Sequence, residues 1–264
     1  MDLQLRGRHA VVTGSTAGIG FAIARRLAGE GVRVTINGRT RGAVDAALAR
    51  LRAVVDGAEV TGVAADLSDA SGCAALATAA GEVDILVNNL GIFEPKPFEQ
   101  IADGDWQRLF DVIVMSGVRM ARALLPGMKA RHWGRVIFVS SESGICPPAE
   151  MVHYGMTKSA QLSVARGLAE TSAGTGVTVN SVLPGPTLTE GARDFFDTLA
   201  ARSGQSFDEA ARDFFAHARP TSILRRFVDP DEVGATAAYL CSPLAAATTG
   251  AAVRVDGGVV RSLV

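Results

Sequence analysis

Tyr154 and Lys158 stand four residues apart in Tyr154-Gly155-Met156-Thr157-Lys158, at the start of a helical pattern. On a helix that spacing puts both side chains on one face. A free tyrosine titrates near about 10 and is a poor base at neutrality. A nearby ammonium favours its phenolate, and each unit of downward shift needs about 1.4 kcal/mol of differential stabilisation. A fall of about two or three units brings the phenol to where general acid–base catalysis is efficient. Ser141 follows the apolar run Arg135–Val139 and precedes Tyr154 by 13 residues. Its hydroxyl is suited to holding a substrate oxygen while Tyr154 exchanges the proton. His153 is a second candidate base, but no neighbouring carboxylate orients it, so a structural or pocket-lining role is expected. Cys146 has no basic partner in sequence to activate it.

A second constellation lies near the N-terminus, in Thr13-Gly14-Ser15-Thr16-Ala17-Gly18-Ile19-Gly20. Glycines at a strand–helix junction let the backbone turn sharply and approach a ligand closely. The free amides at the helix start then face an anion such as a pyrophosphate. No G-K-[ST] follows, which disfavours a nucleoside-triphosphate loop. The reading is a dinucleotide site on Gly14, Ser15, Thr16, Gly18, Ile19 and Gly20. The next strand ends in Asn37-Gly38-Arg39-Thr40. An acidic residue there would bond the adenine ribose 2′-hydroxyl and repel a 2′-phosphate. Gly38 leaves that place empty, and the Arg39 guanidinium suits a phosphate. Arg41 adds charge and the Ser15 hydroxyl is placed to help. NADP(H) is therefore expected over NAD(H), which stays possible; a plain solvated loop is the alternative for Arg39. Asp66-Leu67 offers a carboxylate to an adenine amino group, or a helix cap near Ser68. Asn88-Asn89-Leu90-Gly91 follows the fourth apolar run, adding Asn89 and Gly91.

The elements that must position these groups alternate. Apolar, β-rich runs fall at His9–Thr13, Val32–Ile36, Glu59–Val63, Val83–Val87, Arg135–Val139, Val177–Val182 and Ala252–Val255. Helical patterns cover about 18–30, 41–55, 69–80, 103–130, 153–173 and 230–241. This alternation predicts an α/β fold, with a doubly wound parallel sheet of seven strands between two helical layers. The candidate site residues all follow strand carboxyl ends, where open α/β sheets bind ligands. Residues 188–222 break the rhythm. They read as helical pieces on a long excursion carrying Phe195, Phe196, Phe214 and Phe215, a candidate lid within a single domain over residues 1–264.

Composition narrows the class. The chain has 264 residues and a formal net charge of -1, which argues against nucleic-acid or polybasic membrane binding. Three scattered cysteines form neither a disulfide framework nor a C-x-x-C pair, and no metal site is expected. With no signal-peptide core or long apolar run, a cytoplasmic protein is expected.

Together these residues resemble the short-chain dehydrogenase/reductase family. The matching motifs are Thr13-Gly14-x-x-x-Gly18-Ile19-Gly20, Asp66, Asn88-Asn89-x-Gly91, Ser141, Tyr154-x-x-x-Lys158, Asn180 with Pro184-Gly185, and Asp256-Gly257-Gly258. The resemblance implies a Rossmann sheet, a homotetramer or homodimer, and binding of the nicotinamide ribose by Lys158. It also implies contacts from Pro184, Gly185, Thr187 and Thr189 to the nicotinamide end, and a substrate lid at 188–222. Two positions depart from the pattern. Leu90 replaces a small residue, and Ile113 stands where the family carries an Asn that holds a relay water near Lys158. A backbone carbonyl is one substitute if the local kink survives; Ser116, His153 or a ribose hydroxyl are others. The expected activity is reversible hydride transfer between NADP(H) and a carbonyl or secondary alcohol. The phenylalanines with Ile92, Phe93 and Ile145 suggest a partly apolar substrate, such as a 3-oxoacyl compound or another ketone. The alternative, favoured by Ile113 alone, is an NADPH sensor or assembly subunit with little turnover.

Overall fold

Seven strands pair in parallel in the order β3-β2-β1-β4-β5-β6-β7. They are β1 (His9–Val12), β2 (Arg33–Gly38), β3 (Val60–Ala64), β4 (Ile85–Asn88), β5 (Gly134–Val139), β6 (Val177–Pro184) and β7 (Ala252–Val255). The computed structural model describes residues 2–263. β1, β4, β5 and β6 are buried throughout, because helices cover both faces. One layer contains α1 (Gly18–Gly29), α2 (Arg41–Val54) and α9 (Pro230–Cys241), with Leu27, Leu51 and Val233 in its core. The opposite layer contains α3 (Ala70–Ala80), α5 (Ser116–Ala130) and α6 (Val152–Glu170), with Leu76, Met120 and Phe138. Each fully buried Leu or Phe contributes about 1.5–3 kcal/mol. The strand order reverses between β1 and β4, and a crevice opens there beyond the strand ends.

Local chemistry explains the helix starts. Thr40 caps α2 by accepting the Ala43 amide, and Asp69 caps α3 by accepting the Gly72 amide. Asp66 is therefore not the helix cap; it accepts the Ser68 amide one turn earlier. Asp229 with Glu232 forms a capping box on α9, followed by Pro230 at its first position.

The pattern read as one helix over 103–130 is interrupted. α4 (Asp103–Leu109) passes into a π-helical turn, Phe110–Met115, before α5 begins. The kink at Ile113 is thus present. Residues 188–222 form α7 (Glu190–Ser203), α8 (Phe207–Asp213) and a second π-helical turn, Phe214–Ala218. Phe196, Ala200 and Ala210 are buried there, with Phe207, Phe214 and Phe227 packed against them. Phe196 and Phe227 meet edge to face, their centroids 4.9 Å apart. These aromatic rings build the excursion's own core. Phe196 and Phe214 are spent on that packing, whereas Phe195 stays exposed.

Candidate active site

The glycine turn after β1 is held from below by the end of β4. The Thr13 hydroxyl accepts the amides of Asn89 (3.0 Å) and Leu90 (3.1 Å). The Asn89 side-chain amide donates to the carbonyls of Thr13 (3.0 Å) and Gly14 (2.9 Å). A Cβ at Gly20 would lie 2.4 Å from that amide nitrogen, so only glycine fits. Gly18 has a φ of +56°, the left-handed region that favours glycine. Leu90 packs against the Gly14 side of the turn, 3.2 Å from where a Cβ there would stand.

The start of α1 is an anion site by construction. Its cap residue, Ala17, has no side-chain acceptor for the first amides. The Gly18 amide donates instead to the Glu190 carboxylate at 2.8 Å, an anion brought from the start of α7. Arg50 pairs with the other oxygen of Glu190 at 3.2 Å. Burial opposes ionisation of Glu190, but its own amide, the Gly18 amide and Arg50 hold its pKa below the ordinary value. Unshielded amides, a carboxylate resting on them and a glycine floor fit a bound pyrophosphate.

The adenine end is more mixed. Ser15 is fully buried; its hydroxyl donates to the Val12 carbonyl (2.6 Å) and accepts the Asn37 amide (3.0 Å). It ties β1 to β2 and is not presented to a phosphate, contrary to expectation. Gly38 has a packing reason as well, since a Cβ would fall 2.5 Å from the Thr16 methyl. Arg39 is exposed, and among the described residues it has no ion-pair partner, whereas Arg41 is engaged with Asp45. Asp66 is exposed at the same rim. The Leu67 side chain is core, so only its backbone can face a ligand.

A cleft of about 280 Å³ runs from Gly14, Ala17, Gly18, Ile19 and Gly20 past Asn89 and Gly91 to Tyr154, Lys158 and Thr189. Gly185, just after β6, packs on the backbone of Asp256, whose carbonyl a Cβ would meet at 2.5 Å. Pro184 ends β6, Thr187 bonds back to the Gly185 carbonyl at 2.9 Å, and Thr189 caps α7.

Ser141 reaches Tyr154 because the segment after β5 is seated on α6. The Ser140 hydroxyl donates to the Lys158 carbonyl (2.8 Å), and the Ser159 hydroxyl to that of Gly144 (2.7 Å). Gly155 leaves room for Pro147, which a Cβ would meet at 2.6 Å. The Lys158 ammonium nitrogen lies 5.6 Å from the centre of the Tyr154 ring. Lys158 does not by itself lower the phenol; the positive charge of an oxidised nicotinamide belongs to that expectation as well. Burial, then the Glu142 carboxylate, push the Tyr154 pKa up, against Ser141 and Arg219. Lys158 is itself pulled down to about 7 by burial, with Glu142 acting the other way. The protein alone keeps the phenol protonated; a further positive charge is needed to favour phenolate.

The Ile113 departure has a structural answer. Ile113 is fully buried, so its side chain meets no proton path. Its carbonyl accepts from the side-chain amide of Gln161 at 3.1 Å. The Gln161 oxygen in turn accepts from Lys158 at 3.1 Å, while Lys158 also donates to the Val139 carbonyl at 2.9 Å. One amide side chain therefore links the lysine to the π-helical turn. The other candidates are engaged elsewhere: the Ser116 hydroxyl donates to the Val112 carbonyl, and His153 is buried edge-on to Trp106 with no hydrogen-bond partner among the described residues. Gln161 was detectable in principle, three residues after Lys158 on the same helix face. Glu142 and Arg219, which join beside Ser141, carry no such signal.

The assembled groups can bind a dinucleotide and pass a proton at one oxygen, and known proteins match them over their whole length. The family model of short chain dehydrogenases matches residues 8–200. The uncharacterized oxidoreductase YvaG of Bacillus subtilis is 48% identical over 263 residues, covering 100% of both chains. A D-beta-hydroxybutyrate dehydrogenase of Cupriavidus necator is 35% identical over 259 residues, covering 97% of this chain and 98% of that one. The crystal structure of L-sorbose reductase from Gluconobacter frateurii, complexed with NADPH and L-sorbose, superposes with a TM-score of 0.94 at 31% identity and covers 100% of both chains. With the sheet order, the glycine turn and the Ser141–Tyr154–Lys158 cluster in place, this chain belongs to the short-chain dehydrogenase family of oxidoreductases, which act on carbonyl and alcohol groups.

Proposed function

We propose that this protein is an NADP(H)-dependent oxidoreductase that interconverts a small-molecule carbonyl and its secondary alcohol. The observation that carries the reading is the meeting of Tyr154, with Ser141 acting on it, and Lys158 at one end of a cleft whose other end is the start of α1, where Ala17 offers no side-chain cap and Glu190 holds the Gly18 amide. The glycine turn, Asn89 and Gly91 shape the floor, and Thr187 and Thr189 border the nicotinamide end. When bound, the nicotinamide supplies or accepts the hydride. Ser141 holds the substrate oxygen, and Tyr154 gives it a proton in reduction or takes one in oxidation. Lys158, steadied by Gln161 and Val139, holds the cofactor ribose and biases Tyr154. Residues 188–222 serve as the lid, seated by Arg219 at the catalytic end.

Arg39 supports the choice of NADP(H), being an exposed guanidinium beside Gly38 with no acidic group at that strand end. Dissociation constants for NADPH and NADH, followed by fluorescence, test it. NADPH is expected to bind more tightly, and Arg39→Ala to weaken NADPH about tenfold while leaving NADH nearly unchanged. Equal or tighter binding of NADH by the wild type would overturn the cofactor assignment. A panel of ketones, aldehydes and 3-oxo thioesters, scored by NADPH oxidation, then identifies the substrate class.

A further inference from the structure

The Ser141 hydroxyl does not stand free beside Tyr154. It donates to Oε2 of Glu142, which also accepts the Ser143 amide at 3.0 Å. The other carboxylate oxygen, Oε1, accepts from Nε of Arg219 at 3.2 Å. Arg219 comes from 77 residues further along the chain, just past the π-helical turn Phe214–Ala218 of the lid. Its Nη1 also donates to Glu150 at 3.1 Å. The Glu142 and Arg219 side chains are only 6% and 11% exposed. A carboxylate this buried requires a paired cation and donated hydrogen bonds, and it has both. The local turn does not demand the charge, because the Ser141 oxygen already accepts the Ser143 amide at 3.1 Å.

We propose that Glu142 and Arg219 are positioning residues for Ser141: the lid arginine fixes the carboxylate, and the carboxylate takes the serine proton, so that the remaining lone pair of the serine oxygen accepts from the phenol or from a substrate alcohol opposite Tyr154. This rests on the reading of Ser141 as the oxygen-holding group. Seating the lid then completes the catalytic geometry and neutralises Glu142 in one movement. Unseating it leaves an uncompensated carboxylate beside the phenol. The charged groups acting on Tyr154 are Glu142 from the β5–α6 segment, Arg219 from the lid and Lys158 from its own helix, with Glu150 reached through Arg219. Glu142 opposes phenolate and Arg219 favours it, so the two variants move Tyr154 in opposite directions.

The test compares Glu142→Gln, Arg219→Gln, Arg219→Lys and the Glu142→Gln/Arg219→Gln double variant. Steady-state rates are measured against pH with the best ketone–alcohol pair of the panel. Arg219→Gln is expected to lower kcat about tenfold with the NADPH dissociation constant unchanged, and to move the limb for alcohol oxidation to higher pH. Glu142→Gln moves that limb to lower pH. The double variant matches Glu142→Gln alone, and Arg219→Lys recovers most of the rate. A second readout needs no turnover. The chain has two tyrosines, so the ring-carbon resonance of Tyr154 in carbon-labelled, cofactor-free protein is assigned by its loss in Tyr154→Phe. Followed through an alkaline pH titration, that resonance should turn over at lower pH in Glu142→Gln and at higher pH in Arg219→Gln than in the wild type. Losses in kcat that multiply in the double variant, or a Tyr154 titration unmoved in both single variants, would overturn the proposal. If Arg219→Gln fails to fold, Glu142→Gln and Arg219→Lys decide through the same resonance. A wild type inactive on the whole panel would sink the functional reading, while the resonance would still judge the pairing.

Discussion

At the residue scale, burial governs Tyr154 and Lys158 more than their proximity does. The spacing of Tyr154 and Lys158 suggests an ammonium that drags a phenol down. In the folded protein Lys158 is 3% exposed and is itself held at about 7. The sign of the stability effect follows. The unfolded chain keeps this lysine charged until about 10.5, whereas the folded protein releases its proton near 7. Between those values the unfolded state binds more protons, so stability rises with pH. Urea unfolding of the wild type and Lys158→Met, without cofactor, should show the wild type gaining on the variant from pH 7 to 10, by at most about 1.4 kcal/mol per pH unit. A difference independent of pH would mean that Lys158 stays charged in the folded state. Gln161 belongs to this scale too. It supplies a polar link where Ile113 has none, so the isoleucine by itself does not argue for a silent protein.

At the element scale, what was legible in the sequence and what was not divides along the distance between partners. β1 starts and β5 ends where their runs do, because a buried parallel strand is apolar nearly throughout, the buried His9 and Arg135 being exceptions held by hydrogen bonds. β2 extends two residues beyond its run, since Asn37 and Gly38 pair with Val63 and Ala64 despite their polarity or small size. The helix break at Phe110–Met115 has no proline or glycine to announce it. The contacts of residues 188–222 were not readable at all. Glu190 meets Gly18 across 172 residues and Arg219 meets Glu142 across 77, and no local period encodes such pairings. The Glu190 contact has a consequence for binding. A carboxylate on the first amide of α1 competes with a phosphate for the same positive helix end. Glu190→Gln should therefore tighten NADPH binding about threefold, read by calorimetry. Weaker binding would show that Glu190 supports the cofactor.

At the scale of the whole molecule, two helical layers and one switch in strand order bring groups from the entire chain to one crevice. The glycine turn, Asn89, Ser141, Tyr154 and the start of α7 all follow strand ends on the same edge of the sheet. Among the described residues no helix is long and apolar enough to cross a membrane. Of the residues that suggest an apolar substrate, Phe196 and Phe214 belong to the separate core of residues 188–222, whereas Ile92 and Phe93 line the cleft, and residues 188–222 meet the Ser141 end through Arg219, a charged group. The most direct test of the proposed activity is NADPH oxidation by the wild type and by Tyr154→Phe, with the best substrate of the panel at saturating cofactor. Turnover by the wild type is predicted, with a loss of at least about a hundredfold in the variant and an unchanged NADPH dissociation constant. Two proteins that bind NADPH equally and are both inactive, or a Tyr154→Phe variant that turns over at the wild-type rate, would contradict it.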